Sequence, residues 1–96
     1  MHMGMISDRI RTKLTAALAP VELQIDDESA RHAGHAGHRE GGETHFNVRI
    51  VAAGFTGMSR VARQRHVYAL LKDELAERVH ALALTTLTPD EAQGSR

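Results

Sequence analysis

The chain has 96 residues and no cysteine, so a single small domain is expected, with neither disulfides nor thiolate metal cages of its own. Twelve basic residues balance twelve acidic ones, which argues against a protein held to nucleic acid mainly by its overall field. No apolar run nears the ~20 residues that cross a bilayer and no leader pattern opens the chain, so a soluble cytoplasmic protein is expected.

Residues 1–5, MHMGM, are set aside as an appended or disordered lead. Ile6, Ile10, Leu14 and Leu18 then recur every four residues, the stripe of an amphipathic helix. Ser7 and Asp8 suit its amino end, and Pro20 stops it because the residue before proline is pushed out of the helical region. Val21, Leu23 and Ile25 alternate with polar residues, as do Phe46, Val48 and Ile50. Each run reads as a strand with one buried face, and the two form a hairpin with an extended tip. Gly54 and Gly57 break the chain, and Ser59 caps a long helix whose stripe is Val61, Tyr68, Leu71 and Leu75. Val79 to Thr86, VHALALTT, is a third strand, and the polar tail after Pro89 gives a short helical turn before fraying. The order helix, strand, strand, helix, strand implies a two-layer α+β domain over residues 6–91, with 92–96 a disordered tail.

Between the first two strands lies RHAGHAGHREGGETHF, Arg31 to Phe46, with four of the seven histidines. His32, His35 and His38 recur at every third residue among glycines and could reach a common zinc or nickel ion. Ordering such a loop costs conformational entropy, so weak adventitious binding is the expectation. His45 sits beside Phe46 with opposite parity and reads as a surface or structural residue. His80 shares the parity of Leu82 and Leu84, so the residues alone allow either a partly buried structural histidine or a ligand.

Arg60, Arg63, Arg65 and Lys72, with His66, make a basic stretch along the long helix that could contact phosphates weakly and salt-dependently. GFTG, Gly54 to Gly57, matches the GxxG loop that clamps nucleic-acid backbones, but it follows a strand instead of joining two helices. Of the three aromatics, Phe46 and Tyr68 are expected in the core, leaving little for base stacking. No nucleophile, base and orienting acid fall together, Ser29 near His32 being the nearest approach, so the chain does not read as an enzyme.

The segments DDESARH, GGETHFNVRIVAAGFTG and VHALALTTLTPDE, with the tyrosine of RQRHVY, resemble the BolA family from about Ile6 to Glu91. The resemblance implies a class II KH-like fold, a three-stranded mixed sheet with helices on one face. It also implies pairing with a monothiol glutaredoxin and a shared [2Fe–2S] cluster, completed by glutathione and absent from the isolated chain, which is a monomer or weak dimer. His80 corresponds to the family's ligand before the third strand, and His32 to the variable ligand in the preceding loop, with His35 and His38 possible substitutes. Val79, Ala81 and the Arg63 to Arg65 surface would flank the partner. Some bacterial members are DNA-binding regulators of morphology and stress genes, which is the alternative reading. Two departures stand out. The family's Arg-His-Arg is Arg63, Gln64 and Arg65 here, and the histidine loop is longer than the minimal pattern.

Overall fold

The structure, a computed structural model, describes residues 5–28 and 44–94. Helix α1 (Met5–Leu18) buries Ile6, Ile10 and Leu14, the stripe that the four-residue spacing predicts. It includes Met5, so Ser7 lies inside the first turn instead of capping it, while Asp8 meets the positive end of the helix dipole. At the other end the Ala19 N–H donates to the Thr15 carbonyl at 3.0 Å, and Ala19 takes a left-handed φ of 44°. Pro20 follows and denies any further turn.

Strands β1 (Glu22–Asp27) and β2 (His45–Val51) pair antiparallel, setting Leu23 opposite Ile50 and Ile25 opposite Val48. Strand β3 (Ala81–Leu87) runs parallel to β2, with Phe46 beside Leu82 and Val48 beside Leu84. The sheet is therefore three-stranded and mixed, in the order β1-β2-β3. A parallel pair needs a long crossover, and helices α2 (Arg60–Leu70) and α3 (Lys72–Glu77) supply it. One core joins Ile6, Ile10 and Leu14 of α1 to Phe46, Val48 and Ile50 of β2 and to Val67 and Leu71. The alternate residues of β2, His45 and Asn47, are exposed, so the helices cover one face of the sheet.

After β2 a single 3-10 turn, Ala53–Phe55, drops Phe55 fully into the core. Gly57 has φ 84°, a conformation that a side chain would strain. GFTG is thus a strand-to-helix connector with its aromatic spent on packing. Ser59 caps α2, its Oγ accepting from the Ala62 N–H at 3.1 Å.

The second helical segment differs from expectation in two ways. It breaks at Leu71 (φ −103°, ψ 18°), and it buries Arg63, Val67, Leu71 and Glu74. Val61 and Tyr68, expected inside, are 59% and 41% exposed. Leu71 is buried and Leu75 packs against the core, as the stripe predicts, whereas along α2 the inward positions fall to Arg63 and Val67, so apolar spacing missed the face that α2 buries. Phe55, not Tyr68, joins Phe46 in the core. At the carboxyl end α4 (Pro89–Gly94) continues past the Glu91 boundary expected from sequence.

Candidate metal-binding strand ends and basic helix surface

The head of β3 is held by its backbone on both sides. The Val79 N–H donates to the Glu74 carbonyl at 3.0 Å, and the His80 and Ala81 N–H groups both donate to the Thr44 carbonyl, at 2.7 and 3.2 Å. Val79 is buried, whereas His80 and Ala81 are both exposed. A bend at His80 therefore breaks the alternation that a regular strand would continue from Leu82 and Leu84. The partly buried structural histidine is corrected on this point, because the bend turns the residue to solvent. The result is an exposed imidazole on a fixed backbone.

His45 opens β2 beside it. In the parallel ladder His45 is the register partner of Ala81, and it is exposed on the outward face of the sheet. Its Nδ1 lies 2.9 Å from the Thr44 hydroxyl. Thr44 thus serves both strand ends, through its carbonyl to β3 and its hydroxyl to β2. Among the described residues no set of three or more His, Cys, Asp or Glu side chains could enclose a metal ion. His32, His35 and His38, like Ser29, lie outside the described residues.

The basic surface loses one of its members. Arg63 is only 5% exposed, and its guanidinium donates to the Thr86 carbonyl at 3.0 Å, the Met58 carbonyl at 3.0 Å and both oxygens of Glu91 at 2.7 and 3.1 Å. Its charge also lies 5.7 Å from the centre of the Phe55 ring. The assignment of Arg63 to phosphate contact, or to a partner-flanking surface, is therefore corrected: its donors are committed inside the fold. Arg60, Arg65 and Lys72 are exposed, as is His66. Of the aromatics only Tyr68 reaches the surface, and its hydroxyl donates to the Leu82 carbonyl at 3.1 Å.

Two charged clusters escaped the sequence reading. Glu91 accepts from Arg63, and its carboxylate also takes the Thr88 N–H at 2.9 Å. The Arg63 guanidinium, helped by that N–H, holds the Glu91 carboxyl down at about 2. Glu74 is fully buried, accepting from Arg9 and Lys13 of α1 at 2.9 Å each. Burial alone would push its carboxyl up, but the Lys13 ammonium, with a backbone bond and the Arg9 charge, brings it below the usual range. Arg9 and Lys13 at i and i+4, facing a run with Asp73, Glu74 and Glu77, were the available hint. Nothing local joins Arg63 to Glu91.

An antiparallel pair extended by a parallel edge strand, under helices on one face, is the class II KH-like arrangement of small α+β domains. Within that class the chain belongs to the BolA-like protein family, whose model matches residues 14–91. It is 52% identical over 88 residues to protein BOLA1, chloroplastic, of Arabidopsis thaliana, covering 90% of this chain and 55% of that relative's length. It is 47% identical over 90 residues to the DNA-binding transcriptional regulator BolA of Escherichia coli, covering 94% of this chain and 82% of the regulator. The BolA domain of SufE1 from Arabidopsis thaliana superposes with a TM-score of 0.79 at 50% identity, over 92% of this chain and 96% of that one. None of the described helices is long and apolar enough to cross a membrane.

Proposed function

We propose that this protein is a non-enzymatic partner of a monothiol glutaredoxin, sharing a [2Fe–2S] cluster with it in iron–sulfur assembly, trafficking or iron regulation. The observation that carries the reading is His80, an exposed imidazole on backbone anchored through Thr44. A ligand offered to a docking protein must face solvent before docking, yet be pre-positioned enough to limit the entropy lost on binding. A chain without cysteine has no thiolate to give a cluster, so the thiolates must come from the partner and glutathione. Imidazole in place of thiolate leaves its iron less electron-rich and raises the reduction potential. It is also a neutral leaving ligand, which suits a cluster passed onward. His32 remains the second ligand that the family resemblance proposes, with His35 and His38 as substitutes. Dependence on a free thiol cofactor fits a reducing compartment such as the cytoplasm.

Cluster reconstitution with glutaredoxin and glutathione tests the reading. His80→Ala is expected to alter or abolish the visible charge-transfer bands of the heterodimer, while its circular dichroism stays native. A spectrum identical to wild type removes His80 as a ligand.

The second reading is a DNA-binding regulator, favoured by the name of the Escherichia coli relative and by exposed Arg60, Arg65 and Lys72. These three cations would give weak binding that falls as salt rises. Arg60→Ala/Arg65→Ala should weaken DNA affinity and flatten its salt dependence, and Lys72→Ala should add to both. Affinity indifferent to salt and to these changes rejects a basic-helix contact.

A further inference from the structure

We infer that Glu74 is the positioning residue for His80: its clamped carboxylate fixes α3 and, through one shared carbonyl, the head of β3. The inference rests on the proposed ligand role of His80 and concerns the backbone that carries it. Helix α3 has six residues and opens on Leu71, whose side chain cannot cap it. So short a helix has little stability of its own, because nucleation is costly and few bonds follow. Its place must come from its neighbours. Leu71 and Leu75 pack on the core, but apolar contact is non-directional and lets a segment slide or roll. Glu74 supplies the direction. Its fully buried carboxylate accepts from Arg9 Nε on one oxygen and from Lys13 Nζ on the other, each at 2.9 Å. Both cations stand on α1, which Ile6, Ile10 and Leu14 anchor in the core.

The same residue ends the helix. The Glu74 carbonyl accepts the Arg78 and Val79 N–H groups, each at 3.0 Å, and Val79 is buried. His80 follows at once, its N–H donating to the Thr44 carbonyl at 2.7 Å. The backbone that offers the imidazole is thus held from two sides, by Thr44 ahead of β2 and by Glu74 within α3. A buried ion pair adds little net stability over an apolar residue of like size, whereas charge-assisted bonds fix geometry. Glu74→Leu therefore separates position from stability. It strands neither cation, since Arg9 keeps Glu77 at 2.9 and 3.1 Å and Lys13 keeps Asp73 at 3.7 Å.

The test compares Glu74→Leu and the near-isosteric Glu74→Gln with wild type and His80→Ala. In the free chain, amide hydrogen exchange at Arg78, Val79 and His80 is read against Val48 and Ile50 of β2. The ratio of the two should rise by at least about tenfold in the Glu74 variants. An unchanged or falling ratio marks a merely structural role and overturns the inference. Arg9→Gln removes one clamp from a site only partly buried, and a rise of about threefold there keeps the test open should both Glu74 variants unfold. A second arm reconstitutes the cluster with glutaredoxin and glutathione and times its loss to excess chelator. The Glu74 variants should form the visible bands but lose them at least about threefold faster, whereas His80→Ala alters the bands themselves. Native bands with an unchanged lifetime overturn the positioning role and leave the proposed function standing. Unaltered bands in His80→Ala remove the ligand, and the positioning of it with them.

Discussion

Arg63 is drawn from solvent because four acceptors receive four of its five N–H groups: two backbone carbonyls and both oxygens of Glu91. Arg63→Ala removes a bidentate pair and strands the buried Thr86 carbonyl, so a loss of about 2–4 kcal/mol is expected by urea denaturation. Arg63→Lys keeps the charge but cannot fork, and should recover only part of that loss. Stability equal to wild type in the lysine variant would show that the fork geometry contributes nothing. Ala19 poses the opposite case, an L-residue held at φ 44° where glycine is at ease. Ala19→Gly should relieve backbone strain and raise stability by about 0.5–1 kcal/mol, net of the entropy glycine adds to the unfolded chain.

At the scale of elements, α2 guards the outer edge of β3. Parallel pairing points alternate backbone groups of β3 away from β2, and side chains from α2 take two of those carbonyls: Tyr68 on Leu82 and Arg63 on Thr86. An edge so occupied is a poor template for another strand. Tyr68→Phe should cost about 0.5–1 kcal/mol and speed aggregation under mild heating, read by light scattering. Unchanged aggregation would reject the guarding role. The short α4 depends on reciprocal capping, with Thr88 N–H to Glu91 at 2.9 Å and Glu91 N–H to Thr88 Oγ1 at 3.1 Å. Thr88→Ala should lose about 1 kcal/mol and accelerate hydrogen exchange in α4 before the sheet opens.

For the molecule as a whole, ion pairs tie distant segments: α1 to α3 through Glu74 and Glu77, and α2 to α4 through Glu91. All three carboxyls sit below their ordinary value near 4.5, Glu91 at about 2. In acid the unfolded chain takes up these protons first, so stability present above about pH 5 is lost as pH falls through about 4.5 toward 2. Thermal melts should show that decline, and Glu91→Gln should be less stable at neutral pH yet flatter at the acid end. Parallel curves would place the acid sensitivity elsewhere. Period and punctuation in the sequence by themselves determined that there is one helix over Ile6 to Leu18, a pair of alternating strands and a third strand near Leu82. These patterns are local, recorded in neighbouring residues, and the family likeness of ETHF and VHALAL is local too. Leu71 and Leu75 were legible as inward residues, but only the tertiary structure decided that Arg63 and Glu74 join them, because these charges turn inward only once Glu91, Arg9 and Lys13 arrive from far along the chain. It also decided that His80 meets solvent and that His45 pairs in register with Ala81. Both follow from a backbone carbonyl at Thr44 receiving two N–H groups from the head of β3, a pairing that no spacing within either segment records.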